Sequence, residues 1–182
     1  MMSNTRCTSG GAVGMALRPE APASLVTALA GLKVSFDRAL FRWRGVEAQA
    51  YKFALGDQRG MGWRDVNRFT LAGPPVVPSR FELRYFELAP GGYSSLEQHA
   101  HVHCIVVLRG RGKALVAKEI VALEPLDALF VPPRTPHRWI NDGEEPFGFL
   151  CPVDAQRDPP GPVGDEEWER LRQHDETAPY VF

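Results

Sequence analysis

The sequence predicts an all-β domain arranged as an antiparallel sandwich or barrel. Between residues 34 and 153, short apolar segments rich in Val, Phe, Tyr and Leu alternate with Gly, Pro and Asp. Residues 81–86 alternate apolar and polar side chains with the period of a strand. The 17 glycines and 16 prolines favour turns over long helices. Evenly spaced strands without helices between them are typical of antiparallel sheets.

The predicted strands end at recognisable turn signals. Pro-Gly-Gly at 90–92 closes the first strand, and Pro-Pro at 132–133 closes a later one. Lys-Glu at 118–119 separates two apolar runs and predicts a hairpin. In chain order, the predicted strands are 81–86, 105–108, 114–116, 120–123, 128–131 and 147–151.

Residues 1–33 are predicted to form a flexible arm that carries a short helix. Pro22 suits a first helical turn, and Leu25, Leu29 and Leu32 fall on one face at helical spacing. We expect this helix to pack on the domain or on a partner subunit.

Residues 154–182 are predicted to form an extension with a second short helix. A proline-rich linker at 158–162 opens the extension. We expect Asp165 to cap the helix, and Trp168 and Leu171 to form its buried side.

Composition excludes several classes of protein. The chain has 182 residues, 44% of them hydrophobic and 24% charged, as in one globular domain. A formal net charge of −1 argues against nucleic acid or an anionic membrane as partner. No apolar run reaches the roughly 18 residues of a membrane span, and no secretory leader is recognisable. We therefore expect a cytoplasmic protein.

The three cysteines, Cys7, Cys104 and Cys151, lack the spacing of a disulfide framework. We expect free thiols, as in a reducing compartment. A disulfide between Cys104 and Cys151 is the alternative.

A histidine cluster is the strongest functional signal in the chain. Glu97, His99, His101 and His103 recur every second residue, so on one strand all four side chains point the same way. Imidazole and carboxylate groups are good ligands for first-row metals. A pH-sensitive polar patch or an incidental His-rich turn is the alternative.

A flat strand cannot bring this whole cluster to one ion. Glu97 and His103 would lie about 20 Å apart if fully extended, whereas ligand bonds are near 2 Å. A bend or bulge is therefore required. A further ligand must come from elsewhere, and His137, which follows a proline-rich turn, is the candidate.

Two members of the cluster have open alternatives. His101 either binds the metal or lines the pocket beside it. Glu97 is a ligand, an acceptor that orients a histidine, or a salt-bridge partner. We expect His174, in the charged tail, to be an ordinary surface residue.

These residues resemble the two motifs of the cupin family. Gly91, Glu97, His99, His103 and Gly110 fall at the spacing of the first motif. The intervals of the second motif fall on Leu126, Pro132, Arg134, His137 and Asn141.

The departures from the family pattern are specific. Glu97 stands where the family has its first His, and His103 stands where it has Glu. A single-domain subgroup with four His ligands also carries His at the latter position. Leu126 and Arg134 replace motif glycines, so turns that need positive φ are expected to differ in detail.

The resemblance implies a jelly-roll barrel, the double-stranded β-helix of the cupins, between the two predicted helical extensions. It implies a divalent metal near one mouth, with Glu97, His99, His103 and His137 as the ligand set. It also implies a homodimer, often with an N-terminal segment that reaches across to the partner.

Such a site favours chemistry on a small organic molecule. Four protein ligands leave about two positions open on an octahedral ion; Mn or Fe suits the mixed set, and Zn, Ni or Cu are alternatives. We expect a metal-dependent enzyme, oxygenase-like or of related cupin chemistry, with His101 as the candidate base. A non-catalytic sensor or binder and a metal-free barrel are the other hypotheses. The predicted pocket lining comprises Tyr85, Phe86, Phe130, Trp139 and Phe149.

Overall fold

The computed structural model describes residues 33–51, 59–74 and 79–182, and in them the predicted all-β fold is confirmed. The helix predicted within residues 22–32 lies outside the described residues, as does Cys7. Among the described residues, no helix is both long and apolar enough to span a lipid bilayer.

The described strands range from two to 13 residues, and the longest is Phe81–Tyr93. The helical part comprises α1 (Asp165–Gln173) and a 3₁₀ turn (Ala178–Tyr180). The strands are β1 (Phe36–Asp37), β2 (Arg42–Trp43), β3 (Gln49–Ala50), β4 (Arg64–Ala72), β5 (Phe81–Tyr93), β6 (Glu97–Gln98), β7 (His103–Arg109), β8 (Gly112–Val116), β9 (Glu119–Leu123), β10 (Ala128–Val131), β11 (His137–Ile140), β12 (Phe147–Asp154) and β13 (Gly161–Pro162).

The long strand β5 organises a curled antiparallel sheet. It continues through residues 90–92 to Tyr93, so the prediction that Pro-Gly-Gly ends this strand is wrong. It pairs with β4 on one side and with β12 on the other. Strand β12 also pairs with β7, which in turn pairs with β10. Strand β11 pairs with β5, β6 and β8.

Two apolar clusters lie on opposite faces of this sheet. The inner cluster includes Phe86, Leu88, Trp139 and Phe149, all buried. The second cluster holds α1 against the sheet through Trp168 and its partners, and it consists of Leu96, Leu115, Ile140, Val163, Trp168, Leu171 and Val181.

The C-terminal helix forms where the sequence predicts it, and Trp168 and Leu171 are buried as expected. The predicted cap is wrong: Gly164 is the N-cap, and Asp165 is the first helical residue. Asp165 thus stands in the first turn, where its negative charge favours the helix dipole without a side-chain cap. His174 follows the helix and is exposed, as predicted.

The segment expected to be a linker contributes a strand to the sheet. Gly161 and Pro162 form β13, which pairs with β6. The proline-rich composition reflects a tight, extended course rather than a free connection, because PPII and edge-strand backbones also accept proline.

The two motif glycines that the chain lacks are replaced without loss of the turn backbone. Leu126 has φ +78° and Arg134 has φ +57°, both in the left-handed region. The expectation that these turns differ is therefore wrong. Each residue keeps a conformation that favours glycine, at a cost of about 1–2 kcal/mol.

Replacement of Leu126 by glycine should stabilise the domain. Leu126→Gly removes the Cβ strain but adds unfolded-state entropy, so we expect a net gain of about 0.5 kcal/mol in the free energy of unfolding. Denaturant titration measures it. Leu126→Ala, which keeps the Cβ atom, is the matched control and should show no such gain; equal stability of the two variants would contradict the strain argument.

Candidate metal centre

The required bend lies between β6 and β7. Glu97 belongs to β6 and His103 begins β7, with a turn at 99–102 between them. The N–H of Arg134 donates to the carbonyl oxygen of His99 at 2.6 Å. This bond ties the bend to the turn that precedes His137.

Strand pairing brings the distant histidine to the bend. His137 lies directly opposite Glu97 in the pairing of β11 with β6. One donor atom from each of four buried residues, Glu97, His99, His103 and His137, lies within 4.8 Å of the other three. The structure thus brings together four of the five predicted ligands.

Hydrogen bonds aim the imidazoles at the centre of this cluster. The Nδ1 of His99 donates to the carbonyl oxygen of His101 at 2.8 Å, and the Nδ1 of His137 donates to that of Thr135 at 2.9 Å. A carbonyl can only accept, so each Nδ1 carries the proton and each Nε2 offers its lone pair. This is the tautomer that metal binding through Nε2 requires.

The donor set fits a divalent cation. The Nε2 atoms of His99 and His103 are 2.8 Å apart, a contact that needs a proton or a cation between the two nitrogens. Three imidazoles and one carboxylate are the ligand chemistry of first-row divalent metals. The buried Glu/His cluster could therefore hold a metal ion.

Glu97 is held by a short chain of hydroxyl groups. The Ser95 hydroxyl donates to Glu97 Oε2, and the hydroxyl oxygens of Ser95 and Tyr51 are 3.5 Å apart. Burial, followed by the charge of Glu97, raises the pKa of Tyr51 far above its usual value. Tyr51 therefore stays protonated and able to donate.

Burial favours the neutral forms of His99 and His103. It lowers the pKa of His99 to about 4, with smaller contributions from His137 and His101. It also lowers the pKa of His103 well below its ordinary range, again with burial as the main cause. Neutral imidazoles at pH 7 are ready to bind metal without first losing a proton.

His101 lies outside the four-residue cluster. Its ring stacks on His99 with centroids 3.5 Å apart, and its Nδ1 lies 2.8 Å from Asp158 Oδ1. Asp158 also accepts hydrogen bonds from the N–H groups of Ala100 (2.6 Å) and His101 (3.0 Å). The hydrogen bond from the Ala100 N–H, followed by the one from the His101 ring, lowers the pKa of Asp158.

Asp158 was missed at the sequence level because it opens the segment interpreted as a linker. Its only signal was an acidic residue directly before two prolines. The structure gives this carboxylate the role of orienting His101 beside the cluster.

A cavity of about 390 Å³ opens beside the cluster. The predicted lining residues Phe86, Trp139 and Phe149 are confirmed. His101 also lines the cavity.

The prediction was wrong for Tyr85 and Phe130. Neighbours on a strand face opposite sides, so Phe86 points inward and Tyr85 packs against Trp43 and Phe69 on the other face. Phe130 is 57% exposed, and Cys104, which lies opposite it on β7, is exposed as well.

Cys104 and Cys151 are both free, which rules out the disulfide alternative. Cys104 is exposed and Cys151 is buried at the cavity wall. The Cys151 sulfur lies 3.1 Å from the Nδ1 of His103 and so orients that ring, with its Nε2 toward the cluster.

Three arginines in the cavity wall were also missed. Arg68 lies on β4, Arg84 on β5 and Arg157 beyond β12. The alternation in 81–86 could have identified Arg84, which lies two residues before Phe86 and shares its face.

The chain is similar in sequence and in fold to several known proteins. The family model described as a cupin domain matches residues 84–153. The 1-methylthio-D-xylulose 5-phosphate methylsulfurylase of Rhodospirillum rubrum is 36% identical over 141 residues, covering 78% of this chain and 86% of that protein. A cupin 2 conserved barrel domain protein from Rhodopseudomonas palustris is similar in structure, with a TM-score of 0.67 and 36% identity over 77% of this chain and 92% of that chain.

A more distant similarity covers about half of each protein. The glucose-6-phosphate isomerase of Pyrococcus abyssi is 36% identical over 90 residues, 46% of this chain and 46% of that protein.

Loss of His137 should remove the metal and leave the barrel folded. The His137→Ala protein should hold less than about a tenth of the wild-type metal, because one of four ligands is gone while the apolar core is unchanged. Elemental analysis and circular dichroism measure this on protein purified without a His-tag. His174→Ala is the control, since that histidine is exposed. Wild-type metal content in His137→Ala would contradict the assignment.

Glu97→Gln tests the carboxylate. The amide keeps the shape of the side chain but loses its charge, so metal affinity should fall at least about tenfold, as even the loss of an outer partner of a ligand costs that much. Competition with a chelating dye measures the affinity. Glu144→Gln, an exposed site, should bind as the wild type does. Unchanged affinity in Glu97→Gln would remove Glu97 from the ligand set.

Proposed function

Because the chain belongs to the cupin superfamily, we propose that it is a metal-dependent enzyme that acts on a small organic molecule. The observation that carries this proposal is the convergence of four buried donor groups beside a cavity of about 390 Å³. Glu97, His99, His103 and His137 would hold the ion. Mn or Fe suits this mixed ligand set best.

Held by these residues, the ion would supply Lewis-acid polarisation of substrate oxygens. The residues of the chain position the substrate and move the proton. Phe86, Trp139 and Phe149 form an apolar wall that excludes water and positions the substrate skeleton.

His101 is the residue that we propose to move a proton. Asp158 holds its Nδ1, so its Nε2 is the nitrogen left for the substrate. Stacking on His99 places that nitrogen next to the ligand cluster. A histidine oriented by a carboxylate is a common arrangement for a general base.

The names of two relatives support a phosphorylated sugar as substrate. The Rhodospirillum rubrum protein is named for 1-methylthio-D-xylulose 5-phosphate, and the Pyrococcus abyssi protein for glucose 6-phosphate. Both compounds carry neighbouring oxygens that can chelate one ion. We therefore place chemistry on a sugar phosphate ahead of the oxygenase function.

Turnover assays test this function. Protein loaded anaerobically with Mn(II) or Fe(II) is offered ketose and aldose phosphates and their methylthio derivatives, with products followed by proton and phosphorus NMR. We expect conversion that depends on the metal, that is absent in His137→Ala and that consumes no O2.

A parallel oxygen-electrode arm uses phenols, diketones and thiols. Oxygen uptake with one of these compounds would restore the oxygenase function in place of the proposal. Tight binding of a compound without turnover in either arm would instead make the protein a non-catalytic binder.

A further inference from the structure

Three arginine side chains converge on the cavity from different segments. Arg68 lies opposite Phe86 in the pairing of β4 with β5, and Arg84 lies two residues before Phe86. Side chains opposite each other or two residues apart share a face, so both arginines point to the same side as Phe86. Arg157 completes the group from the segment beyond β12.

Arg84 is buried with incomplete hydrogen bonding. It is 7% exposed, and its NH2 group lies 3.5 Å from the Cys151 sulfur, a weak acceptor. Its Nε has no hydrogen-bond partner among the residues that the structure describes. A buried N–H without a partner is costly, so a small rotation of this guanidinium toward an acceptor in the cavity would be favourable.

Carboxylates balance only part of the positive charge of this group, since Glu82 is the acidic residue that acts on both Arg157 and Arg68. Arg157 pairs with Glu82 at 2.9 Å, whereas Arg68 donates to the neutral Gln49 amide oxygen at 2.9 and 3.3 Å. Within the described ranges, neither Arg68 nor Arg84 has an ion pair with a carboxylate. Burial, followed by the charge of Arg84, lowers the pKa of Arg68.

We propose that Arg68, Arg84 and Arg157 bind the phosphate group of the substrate as a dianion. Guanidinium groups bind phosphate with paired N–H donors in a fixed geometry, and a dianion would balance the excess charge. The connection to catalysis rests on the proposed function; the anion site itself rests on the arginines alone.

The anion site adjoins the metal centre. The Cys151 sulfur contacts the Nδ1 of His103 on one side and the Arg84 guanidinium on the other. A small molecule could therefore place one end on the arginines and the other at the ligand cluster. This arrangement selects phosphorylated over unphosphorylated substrates of the same length.

Binding to metal-free protein tests the anion site separately from the metal. Calorimetry and phosphorus NMR are run with inorganic phosphate, glycerol 3-phosphate and glycerol on chelator-treated protein. We expect both phosphates to bind and glycerol not to bind. Arg84→Met should weaken phosphate binding at least about tenfold, and Arg84→Lys should weaken it less. Arg80→Met, at an exposed position, is the control for lost charge.

If Arg84→Met does not fold by circular dichroism, Arg68→Met takes its place, since that side chain is only half-buried. Absence of phosphate binding to the wild type, or equal binding in the arginine variants, would overturn the proposal. Phosphate binding only after metal loading would also overturn it, because the anion would then sit on the ion. Since the assay is metal-free, failure of the proposed metalloenzyme function leaves its result unaffected.

Discussion

A pair of backbone contacts fixes the relative position of the four donor groups. The N–H of Arg134 bonds to the carbonyl of His99, and His137 lies opposite Glu97 across two paired strands. The first contact joins the bend to the turn before β11, and the second sets the register of that strand. Donors far apart in sequence thereby meet in one buried place.

This dependence explains why a non-glycine residue keeps positive φ at position 134. The left-handed backbone of Arg134 presents its N–H to His99, so relaxation of the turn would move His137 away from the bend. Strain of about 1–2 kcal/mol is tolerated because strand pairing and the buried histidine hold the turn in place. The strained backbone of Arg134 therefore helps to hold His137 near the bend.

The sequence predicted what depends on local pattern. Two-residue spacing located the clustered ligands, and extended-strand geometry showed that a bend and a distant His137 were needed. The positions of six strands along the chain and the buried face of the C-terminal helix followed from apolar periodicity and turn signals. The helix expected within 22–32 remains a prediction, as do the dimer and the cytoplasmic location.

The features that the sequence did not predict depend on contacts between distant segments. Strand parity was uncertain, so Tyr85 was assigned to the wrong face. The segment at 158–162 has the composition of a linker, and only the folded structure shows that part of it pairs with β6 and that Asp158 contacts His101. No single-sequence pattern indicates that Arg68, Arg84 and Arg157 meet, because they come from three separate segments.

Anomalous diffraction from crystals grown with Mn(II) tests whether the four donor groups hold one ion. One ion should appear with Glu97, His99, His103 and His137 at roughly 2.0–2.3 Å, while the His101 ring stays on Asp158. An ion bound elsewhere, or a cluster whose nitrogens separate and bind none, would contradict it.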